Sequence, residues 1–361
     1  MKNQIMIGSL TKDCVIGILG GGQLGRMLVI AASRLGYKCH VFDPNINSPA
    51  SQVSTFSTQA NYDDLEALAS FAKLVDVVTY EFENIPTDAL DVIENHVNIF
   101  PNKEALFTSQ DRLIEKKFLT NLGLRTAPFA NVENAQDLNN AIKKIGTPAI
   151  LKTRRFGYDG KGQVRINENT NLDNILTQFQ NAPCILEGLV NFNKEISVIG
   201  ARDQNGAVSC YDPGENYHEN GVLKTTLVPA KINQKTSTDA VLLTAQILNK
   251  LNYVGVIGVE LFVTDNELLI NEIAPRVHNS GHWTQNGCLI DQFEQHIRAI
   301  GGLQLGDGKR HSNIEMTNIL GDEIKKLEKF VNDGKSAVHL YGKEEIKLGR
   351  KMGHINRIYE V

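Results

Sequence analysis

The sequence predicts a multi-domain protein of mixed α/β and α+β class, with an N-terminal Rossmann-like parallel sheet and a small C-terminal β-rich subdomain. Three observations support this prediction. The chain has 361 residues, more than a single hydrophobic core normally serves. Its first hundred residues alternate apolar strand-like runs with amphipathic helical patterns, which is typical of β-α-β units. Later runs are mainly strand-like and contain one strong helix, which favours an antiparallel sheet.

The composition excludes several classes of protein. Hydrophobic residues make up 42% and charged residues 22% of the chain, as in ordinary globular proteins. The net charge of -4 gives no basic field for general nucleic-acid binding. No apolar run approaches the roughly 20 residues that span a bilayer, and the first residues lack a signal-peptide pattern. We therefore expect a cytoplasmic protein that binds neither membranes nor nucleic acid. The five cysteines form no C-x-x-C pair and are expected to be free thiols.

The first predicted domain covers residues 14–111, and the residues before Val15 are predicted to be an extension. A helix is predicted at Leu24–Leu35. The predicted strands of this domain are Val15–Leu19, Lys38–Phe42, Val75–Thr79 and Val97–Phe100. The apolar pattern breaks into a polar stretch at 102–111, and we place the boundary there.

The second predicted domain covers residues 112–301 and begins with a helix at 112–122. A lobe at about 123–188 carries a glycine-rich loop between two predicted strands. The remaining predicted strands are 195–201, 207–212, 222–227, 256–263 and 268–273, with a helix at 238–251. The third predicted domain, 302–361, holds shorter strands and a charged helix at 322–332, and is predicted to be a small cap.

A glycine-rich turn follows the first predicted strand. Gly20, Gly22 and Gly25 fit the pattern G-x-G-x-x-G, and Asp43 ends the next strand where a dinucleotide site places its ribose-binding acid. Because glycines let backbone N–H groups approach an anion at a helix N-terminus, the turn suits any phosphate. We predict a general phosphate loop, with a dinucleotide site or a ligand-free turn as alternatives. Glu81, after a later strand, would face the same crevice and could bind a sugar hydroxyl.

A second motif is a charged flap. Lys152 ends an apolar strand and would contact nucleotide phosphates as a point charge. The glycine-rich segment Gly157–Gln163, flanked by cations, is predicted to fold over phosphates and exclude water. A flexible surface hairpin is the alternative.

The most specific motif is a pair of glutamates on neighbouring strands. Pairing across the turn at 264–266 would bring Glu260 close to Glu272, and Mg²⁺ prefers such hard oxygen ligands. A salt-bridged hairpin is the alternative. Arg276 follows and is placed to stabilise a transferring phosphoryl group. The spacing of His278 and His282 lacks the H-E-x-x-H pattern of a zinc site. Near the C-terminus, Lys347–His354 concentrates three cations, as a phosphate anchor or a solvated turn.

In this order, the motifs resemble the ATP-grasp superfamily and, within it, the N5-carboxyaminoimidazole ribonucleotide synthases of purine biosynthesis. The superfamily is indicated by Lys152, the loop 157–163, the segment 187–190 and the Glu260/Asn271-Glu272 pair. The narrower family is indicated by GGGQLGRM at 20–27, YEFENIP at 80–86, GYDGKGQ at 157–163, NEIAPRVHNSGHWT at 271–284 and GRKMGH at 349–354.

The resemblance implies a pre-ATP-grasp domain followed by an ATP-grasp fold, and a ligase that carboxylates 5-aminoimidazole ribonucleotide. ATP would phosphorylate bicarbonate to carboxyphosphate, which delivers its carbon to the exocyclic amine. Mg²⁺ is the implied metal, with Mn²⁺ as an alternative. The resemblance also implies a homodimer whose product is used by a separate carboxy-mutase, since no fused one is expected.

The resemblance also assigns residues to roles. Residues implied to bind ATP are Arg112, Lys152, Gly157, Tyr158, Asp159, Gly160, Lys161, Gly162, Gln163, Glu187, Gly188, Leu189, Val190, Glu195, His218, Asn271 and Glu272. Glu260 and Glu272 would hold the metal. The implied catalytic residues are Arg276, His278, Lys351 and Asp159. The implied ribonucleotide-binding residues are Gly22, Gln23, Leu24, Glu81, Arg350 and Lys351.

Three alternatives remain open at this point. Another ATP-grasp ligase, such as a formate-dependent glycinamide ribonucleotide transformylase, would share the mechanism. An NAD-dependent dehydrogenase would explain the glycine turn and Asp43 but leave Lys152, the flap and the glutamate pair without a role. A catalytically silent nucleotide-binding module would not need complete flap and metal residues.

Overall fold

The N-terminal region forms the predicted parallel sheet. The computed structural model describes residues 11, 13–157, 160–265, 267–332 and 334–359. The strands of the first sheet are β1 (Val15–Leu19), β2 (Lys38–Phe42), β3 (Phe56–Thr58) and β4 (Val77–Tyr80). Their order is β3-β2-β1-β4, and β1 pairs in parallel with both β2 and β4. Because β1 and β4 both end at the same edge, the turns that follow them lie side by side.

Helices connect and follow these strands. They are α1 (Gln23–Arg34), α2 (Leu65–Ala72), α3 (Thr87–Glu94), α4 (Lys103–Gln110) and α5 (Arg112–Asn121). One prediction was wrong here, and one helix was not predicted. The strand at 97–100 is reduced to a bridge between Ile99 and Val78, because Pro101 follows and has no N–H to continue a ladder. The polar stretch 102–111 contains α4, since the side chain of Asn102 caps the helix at the N–H of Ala105.

The second region begins with a small antiparallel lobe. Its elements are β5 (Phe129–Val132), α6 (Ala135–Ile145), β6 (Ala149–Thr153), β7 (Gln163–Ile166) and β8 (Cys184–Gly188). The strand order is β5-β8-β6-β7. The glycine-rich flap joins β6 to β7, and Lys152 therefore lies where the flap begins.

A large antiparallel sheet carries the rest of the chain. Its strands are β9 (Lys194–Arg202), β10 (Val208–Cys210), β11 (Gly214–Glu219), β12 (Val222–Val228), β13 (Gly255–Val263), β14 (Leu268–Ala274), β15 (Ile314–Leu320), β16 (Ser336–Leu340) and β17 (Lys351–Ile358). The order is β14-β13-β9-β11-β12-β15-β17-β16, with β10 paired to β9. The segment predicted as a cap thus extends this sheet, because β15 pairs with β12.

The remaining helices pack around that sheet. They are α7 (Gln234–Lys250), α8 (Thr284–Gly287), α9 (Gln292–Ile300) and α10 (Glu328–Val331). The predicted charged helix at 322–332 is a 3₁₀ turn, Gly321–Lys326, followed by the short α10. Helix α9 ties the two regions together, since Arg34 of α1 pairs with Asp291 at 2.8 Å and with Glu294 at 2.7 Å. Among the described residues, no helix has the length and apolar character to cross a bilayer.

Candidate active site

In the described part of the chain, two neighbouring cavities lie between the N-terminal sheet, the flap and the large sheet. The first has a volume of about 440 Å³ and the second of about 1170 Å³. Both are lined by Gln23, Leu24, Glu83, Asn84, Lys161, Arg276 and Lys351. These shared residues form the junction of the two cavities, so two different ligands could meet there.

Most predicted site residues line these cavities. The first cavity contains Arg112, Lys152, Gly157, Gly160, Lys161, Gln163, Glu195, His218, Glu260, Asn271, Glu272, Arg276, His278 and Lys351. The second contains Gln23, Leu24, Glu81, Arg276, Arg350 and Lys351, with the further cations Lys326, Lys343 and Lys347. Both linings thus mix cations with acids; the first carries the acids predicted to hold metal, and the second carries Arg350 and Lys351, which could bind a phosphate group.

The predicted glutamate pair lies in the first cavity. Strands β13 and β14 are antiparallel, and Glu260 faces Glu272 in their register. Burial alone would raise the pKa of Glu272, but the Arg112 guanidinium, 2.7 Å from its carboxylate, lowers that pKa to about 2. Burial raises the pKa of Glu260 well above its usual range, and the charges of Glu272 and Glu195 add to this effect. A cation bound beside Glu260 would favour the ionised form of this carboxyl and so offset the effect of burial.

The donors near this pair fit a hard divalent cation. Carboxylate oxygens are the ligands that Mg²⁺ and Mn²⁺ accept most readily. Glu195, His218 and Glu260 also offer ligand atoms that lie within 4.8 Å of one another. A cation bound at Glu260 and Glu272 would therefore relieve the burial of charge in this cavity.

Lys152 belongs to a buried network that the sequence did not predict. Its ammonium donates to Glu187 at 2.8 Å. Lys116, only 1% exposed, lies 3.9 Å from the same carboxylate and donates to the Asn271 carbonyl at 2.6 Å. The only local signal for Lys116 is its position one helical turn after Arg112 on α5.

A second unpredicted residue of α5 is Glu115, which also lines the first cavity. Its carboxyl accepts a hydrogen bond from the Ile273 N–H at 2.8 Å. Burial raises the pKa of Glu115 to about 8, with Lys116 opposing that shift. Helix α5 therefore holds β14, the strand of Glu272, by buried polar contacts from consecutive residues.

Arg276 and His278 are held at the junction of the cavities. The Arg276 guanidinium donates to both oxygens of Glu83, at 2.6 and 3.2 Å. Burial would raise the pKa of Glu83, but Arg276 outweighs it and lowers that pKa. Burial and the charge of Arg276 lower the pKa of His278 to about 3, so this imidazole is neutral at physiological pH.

The backbone N–H groups of the glycine turn are bound by carboxylates of the chain itself. The N–H of Gly25 donates to the Glu81 carboxylate at 2.8 Å, and the N–H of Gly22 bonds the other oxygen of the same group. The N–H of Gly21 donates to Asp43 at 2.7 Å. A pyrophosphate at this helix N-terminus would have to displace both carboxylates, which removes the basis of the dehydrogenase alternative.

The flap is anchored at its beginning. Arg154 donates to both oxygens of Asp111, at 3.0 and 2.7 Å. Arg112 donates to the Gly157 carbonyl at 3.1 Å, which ties the flap to the residue that pairs with Glu272. Two predicted site residues of the flap, Tyr158 and Asp159, lie outside the described residues.

Some predicted site residues are not part of either cavity lining. Within the described part of the chain, Gly22, Gly162, Gly188, Leu189 and Val190 do not line either cavity. Glu187 is also outside both linings and reaches the site through its bond to Lys152.

The first cavity has an aromatic wall that the sequence did not predict. Phe192 and Phe262 stack with ring centroids 4.6 Å apart and an interplanar angle of 14°. Both rings line the first cavity. Such an apolar face suits a nucleotide base. No local pattern pairs these rings, because Phe192 lies between β8 and β9 and Phe262 lies on β13.

Three protein-family models match the chain along its length. Residues 14–110 match the ribonucleotide synthetase preATP-grasp domain, residues 117–293 the ATP-grasp domain, and residues 315–360 the phosphoribosylaminoimidazole carboxylase C-terminal domain.

Named relatives match almost the whole chain. An N5-carboxyaminoimidazole ribonucleotide synthase of Brucella melitensis is 48% identical over 353 residues, 97% of this chain and 98% of the relative. A solved N5-carboxyaminoimidazole ribonucleotide synthetase in complex with ADP is 43% identical, with a TM-score of 0.95 over 98% of this chain and 94% of that one. An Aspergillus clavatus N5-carboxyaminoimidazole synthase, solved with ADP and 5-aminoimidazole ribonucleotide, is 31% identical, with a TM-score of 0.89 over 96% of this chain and 94% of that one.

Proposed function

The chain belongs to the family of N5-carboxyaminoimidazole ribonucleotide synthases, and we propose that it catalyses the carboxylation of 5-aminoimidazole ribonucleotide. ATP and bicarbonate would be consumed, and N5-carboxyaminoimidazole ribonucleotide, ADP and phosphate would be released. The observation that carries this proposal is the 48% identity to a synthase of that name over 97% of the chain. The two cavities support it, because the reaction needs one site for a nucleotide and another for a ribonucleotide.

The first cavity is the proposed ATP site. Its aromatic wall, Phe192 and Phe262, would contact the adenine. Lys152 and Arg112 supply positive charge for the phosphates, and the flap closes over them. Closure excludes water from carboxyphosphate, which would otherwise be hydrolysed.

Glu260 and Glu272 would hold Mg²⁺ in this cavity. When bound, the metal would neutralise part of the negative charge on the ATP phosphates. The fit rests on the facing carboxyl groups of Glu260 and Glu272, on the burial of Glu260 and on the preference of Mg²⁺ for oxygen ligands. Mn²⁺ would be accepted by the same donors.

The junction residues are proposed to handle the reactive carbon. A bicarbonate oxygen attacks the γ-phosphorus of ATP and ADP departs, which leaves carboxyphosphate beside Arg276 and His278. Arg276, held by Glu83, stabilises the negative charge on the oxygens of this intermediate. His278 is neutral and serves as a hydrogen-bond partner. Loss of phosphate then frees the carbon for the exocyclic amine, which forms the new C–N bond and gives up a proton.

The second cavity is the proposed ribonucleotide site. Arg350 and Lys351 would bind the phosphate, with Lys343 and Lys347 nearby on the same wall. Gln23 and Leu24 begin α1 at the junction, where they can contact the ribose. Glu81 uses one acceptor site on each oxygen for the glycine turn, and its remaining lone pairs can accept from a sugar hydroxyl.

Other parts of the proposal follow from the family rather than from the cavities. We propose a homodimer in the cytoplasm whose product is passed to a separate carboxy-mutase. Tyr158 and Asp159 keep their proposed roles in binding the nucleotide, and Asp159 keeps its proposed catalytic role.

The proposal is tested by measuring ADP release from Mg²⁺-ATP and bicarbonate, with and without 5-aminoimidazole ribonucleotide. Strong stimulation by that ribonucleotide is expected. Turnover with glycinamide ribonucleotide and formate in its place would contradict the proposal and point to the transformylase alternative.

A further inference from the structure

His278 is held by a side chain that comes from another part of the chain. The Oε1 atom of Gln292 accepts a hydrogen bond from the His278 N–H at 2.9 Å, and its Nε2 donates to the His278 carbonyl at 2.7 Å. Gln292 is fully buried at the start of α9. One amide group thus satisfies both backbone groups of His278 and holds the residue extended, as a neighbouring β-strand would.

The close approach of Gln292 is built into the loop. A side-chain carbon at Gly281 would lie 2.6 Å from the Gln292 Oε1 atom, so the glycine makes room for the amide. Nε2 of Gln292 also lies 3.0 Å from Nδ1 of His282, which is fully buried. The amide therefore has little freedom to leave its contact with His278.

Ser280 fixes the ring of the same histidine. The Ser280 hydroxyl lies 2.8 Å from His278 Nδ1, and the Ser280 N–H donates to that nitrogen at 3.4 Å. Because a backbone N–H can only donate, Nδ1 must be the nitrogen without hydrogen. The proton is then on Nε2, which lies 3.6 Å from the Glu260 carboxylate; both residues line the first cavity.

We propose that Gln292 and Ser280 are positioning residues that present His278 to carboxyphosphate as a fixed Nε2–H hydrogen-bond donor. This inference rests on the proposed function, because it names how a residue of that site is prepared for its substrate. The chemical class recognised is an anionic oxygen of bicarbonate or carboxyphosphate.

The test uses Gln292→Met, which keeps the shape of the side chain and removes its hydrogen bonds. We expect kcat/KM for bicarbonate to fall about 10- to 100-fold, since a small displacement of a reacting-site group has effects of this size. The dissociation constant of ATP, measured by calorimetry, should stay within about 2-fold of wild type. An unchanged kcat/KM for bicarbonate in the folded variant would overturn the proposal.

Gln295 provides a matched control on the same helix. It is also fully buried, and its amide bonds the carbonyl and N–H of Gly306 at 2.9 and 2.8 Å, in the same two-sided manner. Gln295→Met should lower the thermal stability as much as Gln292→Met while leaving the kinetics unchanged. An equal kinetic loss in both variants would mean that Gln292 acts through stability alone and would overturn the proposal.

The pH dependence of Gln292→Glu distinguishes a positioning role of Gln292 from a purely structural role. A protonated carboxyl can both accept from and donate to His278, as the amide does, whereas a carboxylate can only accept. We therefore expect this variant to be most active at low pH and to lose activity, relative to wild type, as the pH rises from about 6 to 8. A pH profile parallel to that of wild type would contradict the donor role of Gln292.

The tautomer is measured on the wild-type protein, and a variant serves only to assign the signal. With ¹⁵N-labelled histidine, the signal that disappears in His278→Gln should show a bare Nδ1 and a protonated Nε2. The opposite tautomer would overturn the proposal. If wild type shows no bicarbonate-dependent ADP release, the proposed function fails; if it does and Gln292→Met matches it, the positioning proposal alone fails.

Discussion

The glycine turn before α1 and the glutamate pair on β13 and β14 treat buried charge in opposite ways. At the turn, burial raises the pKa of Glu81, and the N–H groups of Gly22 and Gly25 oppose that shift by donating to its carboxylate. At the pair, Arg112 forms an ion pair with Glu272 and not with Glu260. Burial and the neighbouring acids raise the pKa of Glu260.

The difference separates backbone donors that the chain itself occupies from a carboxyl pair that a cation would complete. Where the chain satisfies its own polar groups, a substitution should act first on stability and less on ligand binding. Where charge is left uncompensated, a ligand completes the site and a substitution should act on binding and turnover. Substitutions at each place can therefore test this contrast.

The largest effect is expected for Glu260→Gln. It removes a proposed metal ligand, and kcat/KM for Mg²⁺-ATP should fall about 100-fold or more, because a bound metal supplies several kcal/mol of charge stabilisation. The metal-free protein should be at least as stable to heat, since an amide is no harder to bury than a carboxyl group whose pKa burial has raised. Steady-state kinetics and thermal unfolding in EDTA check both parts. Retained turnover together with a lower melting temperature would reverse the contrast.

Lys152→Met should weaken ATP binding about 10- to 100-fold, because a phosphate loses a charged partner and Glu187 loses its closest cation. Isothermal titration calorimetry measures the change. Lys194→Met is the matched control, since Lys194 pairs with Glu215 at 2.6 Å outside both cavities. An unaltered ATP affinity in Lys152→Met would remove this residue from the nucleotide site.

Arg350→Ala should raise KM for the ribonucleotide about 10-fold with little change in KM for ATP, because one phosphate contact is lost in the second cavity alone. Arg357→Ala is the control, as this arginine of β17 bonds Ser336 and does not line the described cavities. The reverse pattern, a change for ATP and none for the ribonucleotide, would mean that the two cavities are exchanged.

Glu81→Gln is expected to have the smallest effect, which is a loss of stability. The amide group cannot accept from both glycine N–H groups, so the free energy of unfolding should fall by about 1–2 kcal/mol in chemical denaturation. KM for the ribonucleotide should rise at the same time, as Glu81 lines the second cavity. Asp64→Asn, at the N-cap of α2, is the control because asparagine caps equally well. Gain of NADH binding in Glu81→Gln, seen by fluorescence titration, would revive the glycine turn as a ligand site.

Much of the site could be predicted because its key residues are close in sequence or carry a distinctive pattern. Glu260 and Glu272 are joined by a short turn, so alternation along two strands was enough to place them opposite each other. Lys152 could be placed at the beginning of the flap because an apolar strand pattern ends there. By contrast, Lys116 and Glu115 sit on a helix whose pattern does not say which strand it contacts.

Other predictions could not succeed from the pattern alone. The spacing G-x-G-x-x-G is the same whether the N–H groups meet a phosphate or a carboxylate of the chain, so the role of Glu81 as their acceptor was not visible. The helix at 103–110 was missed because its polar composition resembles a loop, while a single asparagine cap and a narrow buried face stabilise it.

The order of the elements, the parallel and antiparallel character of the sheets and the glutamate pair can be predicted from local patterns, because these features depend on hydrogen bonds and periodicities between near neighbours. Which distant groups meet depends on the packing of the whole chain. Arg276 and Glu83 are 193 positions apart, and the residues that fix His278 come partly from α9. Such contacts depend on how whole sheets and helices pack, and burial then sets their pKa values and their chemistry.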